Sequence, residues 1–177
     1  MLQSLVLTVI GPDRPGLVDA LSATIREHGG NWHESRLAKL AGQFAGVVRV
    51  EVPADQAGAL SEALRELTAQ GLVVTSTTDA AEAESATPKT LHLEFLGHDR
   101  PGLVRDVAHA LAVRGFNITE LTSRVRSAAM SGEPMFNAVV TLTAPADADV
   151  AGLHDQLEGL ANEMALDLTL TEANAPA

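Results

Sequence analysis

Two short strings combine residue types that could hold a small charged molecule. The first is Gly11-Pro12-Asp13-Arg14-Pro15-Gly16-Leu17-Val18, and the second is Gly97-His98-Asp99-Arg100-Pro101-Gly102-Leu103-Val104. They agree at seven of eight positions and lie 97 − 11 = 86 residues apart. Pro15 and Pro101 suit the first turn of a helix, where a missing N–H costs nothing and φ is already set. Asp13 and Asp99 sit just upstream, where a carboxylate can cap free backbone donors. Gly16 and Gly102 leave that turn bare, so a ligand can come close to the amides. Unpaired N–H groups at a helix start, helped by the helix dipole, favour a carboxylate or phosphate. For a single copy, a tight, well-capped turn without ligand is the commoner outcome. Duplication does not decide between the two, because a repeated fold repeats its turns.

The elements that must position these strings follow from hydrophobic period. Leu5 to Ile10 is short, β-branched and stopped by Gly11-Pro12, which predicts a strand. Leu17, Val18, Leu21 and Ile25 have helical spacing, and Gly29-Gly30 end that helix. Asn31 to about Leu40 predicts a second strand, with Ala41-Gly42-Gln43 as a hairpin turn. Phe44, Gly46, Val48, Val50 and Val52 then share one face of a third strand, with Arg49 and Glu51 on the other, up to Pro53. Ala57, Leu60, Leu64 and Leu67 mark a helix that stops at Gly71, and Leu72 to Thr78 a fourth strand.

The same order returns downstream. Leu91, Leu93 and Phe95 alternate, Leu103, Val104, Val107 and Leu111 form a stripe ending near Gly115, and Asn117 to Val125 is a strand. Phe136, Ala138, Val140 and Leu142 repeat the Phe44 pattern. Val150, Leu153, Leu157, Leu160 and Met164 predict the last helix, and Leu166, Leu168 and Leu170 the last strand. The offset grows to 136 − 44 = 92, so the second hairpin is about six residues longer and holds Met130 to Pro134. Each strand-helix-strand-strand-helix-strand unit predicts an α+β, ferredoxin-like sandwich, an antiparallel four-stranded sheet with both helices on one face. The domains expected are 1–78 and 90–172, joined by a small, acidic linker over 79–89 and followed by a frayed tail over 173–177. Open sheet edges would favour a homo-oligomer.

Composition bounds the chemistry. Hydrophobic residues make up 46% of the 177 and charged residues 20%, as in a globular protein. Aromatics are few, so the cores should be aliphatic. A net charge of −11 argues against direct contact with nucleic acid or an anionic membrane, but not against a basic protein partner. No cysteine is present, which excludes disulfides, thiolate metal sites and cysteine nucleophiles. The N-terminus has no signal-peptide pattern and no stretch is long enough to span a bilayer, so a cytoplasmic protein is expected. The six histidines show no close ligand cluster, and no metal site is expected. No nucleophile elbow or Walker loop occurs, and no residue set supports catalysis. Arg124 and Arg126 are expected on a solvated strand face, and Trp32 in a core or interface.

The string Asp-Arg-Pro-Gly-Leu-Val after a first strand, with Asn opening the second, resembles the ACT domain, an amino-acid-sensing ferredoxin-like module. Both halves carry it, so the resemblance covers nearly the whole chain. It implies that a ligand lies at the loop from the first strand to the first helix, closed by the second strand of a neighbouring domain. Carried over, it implicates Asp13, Arg14, Pro15, Gly16 and Leu17 with Asn31, and Asp99, Arg100, Pro101, Gly102 and Leu103 with Asn117. Amides near Gly16 or Gly102 would hold the carboxylate, and Asn or Asp side chains would meet the ammonium. His98 stands where the first copy has Pro12, adding a titratable group to one site only. As a pair of ACT domains with no DNA-binding domain, the chain resembles the glycine cleavage system transcriptional repressor family. That resemblance implies no cofactor, a small amino acid such as glycine or serine as effector, and contact with a DNA-bound transcription regulator. A regulatory subunit that docks on a metabolic enzyme and controls it allosterically is the alternative.

Overall fold

The computed structural model describes residues 1–79, 88–128 and 132–172. The chain divides into two compact units, 1–82 and 83–177. Most of the expected linker, the centre of the second hairpin and the tail lie outside the described residues.

The first unit runs β1 (Leu2–Pro12), α1 (Leu17–Glu27), β2 (Asn31–Leu40), β3 (Gln43–Pro53), α2 (Ala57–Glu66) and β4 (Val73–Thr78). A 3₁₀ turn, Leu67–Gln70, extends α2 as far as Gly71, whose φ of 80° ends it. The second unit repeats the order as β5 (Lys89–His98), α3 (Leu103–Ala112), β6 (Asn117–Ser127), β7 (Pro134–Ala144), α4 (Val150–Met164) and β8 (Asp167–Glu172). The antiparallel sheets have strand orders β2-β3-β1-β4 and β6-β7-β5-β8. Both units are therefore ferredoxin-like sandwiches, as the alternation of periods predicts.

Burial follows that alternation. Leu5, Leu7 and Val9 of β1 and Val48, Val50 and Val52 of β3 turn inward against Leu17, Leu21 and Ile25 of α1 and Leu60 and Leu64 of α2. Val18 and Val104 lie outside the stripes in which the sequence reading placed them. One step round the helix from Leu17 and Leu103, both are exposed. The first core is aliphatic, with Trp32 and Phe44 packed at its margin. The second departs from the aliphatic expectation, since Phe95 and Phe116 are buried in it. Phe95 stacks on Phe136 with ring centroids 5.9 Å apart.

The loops show why the two hairpins differ. Ala41 and Gly42 both take positive φ (49° and 79°), the primed two-residue turn that matches strand twist, and Gln43 already belongs to β3. In the second unit β6 and β7 are each a residue longer than their counterparts at this end, and the loop spans 128–133. Its ends are closed by Ala128 N–H to the Glu133 carbonyl at 2.8 Å. Edge strands β2 and β6 carry a bulge at equivalent places, between Trp32 and Glu34 and between Ile118 and Glu120.

A close approach fixes each central strand against the segment leading to the last strand. A Cβ on Gly11 would stand 2.3 Å from the Gly71 carbonyl oxygen, and one on Gly97 2.2 Å from Leu166 Cδ2. The first obstacle is backbone and cannot turn aside. Gly11→Ala should therefore lower the urea midpoint of the first unit by the equivalent of about 1–3 kcal/mol, the usual cost of overpacking. Phe95→Ala should cost the second unit about 3–5 kcal/mol, read in the same titration.

Candidate functional site

The repeated strings fold as type II turns at the helix starts. Proline supplies φ near −65° and the following glycine takes positive φ, 91° at Gly16 and 92° at Gly102, with ψ near zero. This corrects two expectations. Pro15 and Pro101 stand outside the helices, which open at Leu17 and Leu103 with glycine as the N-cap. Neither Asp13 nor Asp99 caps, for no side chain accepts from either helix start. The turn carries the chain sideways before the first helical residue, so neither carboxylate lies over the opening amides. The first intrahelical bonds are Ala20 N–H to the Gly16 carbonyl and Asp106 N–H to the Gly102 carbonyl, both 2.9 Å. The amides of the opening turn thus precede the helix ladder.

In the first unit the loop is pinned and roofed. Asp13 N–H donates to the Gly42 carbonyl at 2.9 Å, and the Asp13 carboxylate pairs with the Lys39 ammonium. The Arg14 guanidinium reaches across to donate to the Gln70 carbonyl. Between them lies a recess of about 170 Å³ bordered by Arg14, Pro15, Gly16, Ala20, Leu67 and Gln70. Four of the six first-unit residues implicated by resemblance border it (Arg14, Pro15, Gly16 and Leu17), whereas Asp13 is engaged with Lys39 and Asn31 lies elsewhere. Arg14 has five donors and uses one on Gln70, so it retains others for an anion. Lys39 and Gln70 carried no sequence signal, and Leu67 stood out only as part of a helix stripe, because each is distant in the chain and ordinary in type.

The second unit arranges the same string differently. Asp99 N–H donates to the Pro134 carbonyl at 2.9 Å, but the place of Lys39 is taken by Val125, and no ion pair to Asp99 forms among the described residues. Arg100 turns to Asp106 on α3 at 3.9 Å rather than to the end of the second helix. A groove of about 480 Å³ runs between α3 and α4 beside it. His98 faces a separate recess with Met135 and Asp167, and its Nδ1 lies 3.7 Å from Glu133.

Asn31 and Asn117 are not brought to the loop of their own unit. Asn31 pairs in register with Glu51, which pairs with Ser4, eight residues before Pro12 along β1. At 3.3 Å per residue that is about 26 Å. Asn117 is placed alike, opposite Thr143 and hence Thr90. Asn31 instead meets His33 at 3.4 Å, and His33 Nε2 meets Glu51 at 3.1 Å.

One grouping of metal-ligand types does occur among the described residues. His154, Asp155 and Glu158 bring ligand atoms within 4.8 Å of one another on the exposed face of α4. The spacing of His154 and Glu158 is the ordinary i, i+4 helix pairing, 3.5 Å here.

Backbone conformation makes the turn testable. Gly16→Ala meets no atom within 4 Å yet must hold φ near 91°, so it should cost about 1–2 kcal/mol in urea unfolding. Gly58→Ala, in the open interior of α2, should instead stabilise by about 0.5–1 kcal/mol.

Residues 3–76 match the ACT domain family model. The glycine cleavage system transcriptional repressor of Escherichia coli (strain K12) is 25% identical over 161 residues, covering 90% of this chain and 85% of that protein. A crystal structure of a protein of unknown function from Galdieria sulphuraria superposes with a TM-score of 0.83 at 27% identity, over 98% of this chain and 100% of that one. Another, provisionally assigned as a glycine cleavage system transcriptional repressor, gives 0.72 at 18% identity over 99% of both chains and shares the fold. No helix among the described residues is long and apolar enough to cross a membrane. The family match spans the first unit, the second unit repeats its fold, and the chain is similar along 90% of its length to the glycine cleavage system transcriptional repressor.

Proposed function

We propose that this protein is a non-enzymatic, amino-acid-responsive regulator that modulates transcription through contact with a protein partner. The recess under Arg14 carries the proposal, since it joins a guanidinium, a glycine N-cap and opening helix amides around a volume suited to a small amino acid such as glycine or serine. The carboxylate would lie against those amides and Arg14, which is a charge-assisted arrangement. The ammonium would be met by Asn31, which, given its distance from its own loop, would have to come from another copy of the chain. Binding of that kind links occupancy to assembly, because a ligand shifts an equilibrium only by its differential affinity for the two states. The strongly acidic surface disfavours direct DNA contact, so the output is assigned to a DNA-bound regulator protein.

Calorimetric titration with glycine and serine should show saturable binding to the wild-type chain. Arg14→Gln should weaken it about tenfold or more, the loss expected for one hydrogen bond to a charged group. Absence of heat with every small amino acid would overturn the sensing role. Affinity capture with and without glycine then identifies the output. A transcription regulator whose recovery depends on glycine supports the proposal, whereas a metabolic enzyme would replace it with control of that enzyme.

A further inference from the structure

The two units differ in the cleft between the repeated loop and the second helix. At the 86-residue offset, Ala20 of the first unit becomes Asp106 and Ala23 becomes His109. The groove of the second unit is larger, about 480 against 170 Å³, and its walls are charged. Arg100 stands at the loop end, Asp106 and His109 line α3, and Glu163 lies on the last turn of α4. Its floor is apolar, formed by Ala110, Leu160 and Met164.

The charges are not used up within the fold. Arg100 meets Asp106 only at 3.9 Å, a partly exposed pair that is easily exchanged for a ligand. Asp106 is also approached by Arg105 at 3.4 Å, so its charge is compensated without Arg100. Glu163 makes no ion pair among the described residues and is exposed beside the groove. Gln156 is held through its side-chain oxygen by Arg114, which leaves its amide nitrogen available. The groove therefore offers a guanidinium for an anion, a free carboxylate for a cation and an aliphatic floor between.

We infer that the groove between α3 and α4 is a second effector site, selective for a free amino acid with a cationic side chain. Its carboxylate lies on Arg100, its aliphatic stem on Leu160 and Met164, and its side-chain cation on Glu163. The strongly negative net charge of the chain favours such a ligand over an anionic one. The inference rests on the amino-acid-binding role only for the class of ligand, and it uses none of the first unit's residues.

The test is calorimetry on the full chain with L-lysine, norleucine, lysinamide and glycine. Expected is saturable lysine binding that norleucine and lysinamide match only at concentrations at least about tenfold higher, as each lacks one charge-assisted bond. Glu163→Gln and Arg100→Gln, both at exposed positions, should each weaken lysine about tenfold, and Glu163→Gln should leave glycine binding unchanged. Arg14→Gln should do the reverse. Glycine binding without lysine binding overturns this inference and leaves the first-unit site standing. Lysine binding with no heat from either glycine or serine upholds it and overturns the first-unit site. Lysine binding indifferent to both Glu163→Gln and Arg100→Gln overturns it as well.

Discussion

Everything at the loop end of each unit depends on the central strand passing the segment that leads to the last strand with no side chain of its own at the crossing. At Gly11 the Gly71 carbonyl occupies the space a Cβ would need, and at Gly97 the Leu166 side chain does. That contact brings the repeated turn beside the end of the second helix, so Arg14 can reach Gln70 and a recess forms at all. The type II turn then sets the direction in which the helix leaves. Two glycines in each string thus have separate tasks, the first sparing a clash and the second adopting a backbone that L residues avoid.

On that common frame the units diverge through a handful of side chains. Lys39 neutralises Asp13, and Val125 leaves Asp99 without that partner. Arg14 bridges to the second helix of its unit, while Arg100 folds back onto its own. The backbone of the ligand-facing turn is preserved and its electrostatic surroundings are not. Divergence of this kind is open to a duplicated domain, because exposed charges cost little to exchange whereas replacing the glycines strains or overpacks the backbone.

The sequence made the architecture legible because both of its periods are strong. Alternation at Phe44 to Val52 and i, i+4 spacing at Leu17, Leu21 and Ile25 are the burial pattern itself, and the repeat supplied each element twice. The capping role given to Asp13 and Asp99 was misread because a Pro-Gly pair can open a helix or turn the chain just before it. Only φ distinguishes these, and it appears in the structure at Gly16 and Gly102. Val18 and Val104 were misplaced since adjacent apolar residues straddle the edge of a helix stripe. Cleft residues such as Gln70, Asp106 and Glu163 are ordinary surface types whose meaning comes from long-range packing. Asn31 shows the opposite case, a conspicuous position that strand register carries to the far end of the sheet from its own loop.

The paired bulges at Trp32/Glu34 and Ile118/Glu120 have a consequence for solubility. Each sheet ends in a long strand whose outward backbone groups could recruit further strands indefinitely. An extra residue there skews the local twist and spoils the flat, evenly spaced row of donors and acceptors that a fibril requires. Either edge strand is thereby a poor template for runaway polymerisation.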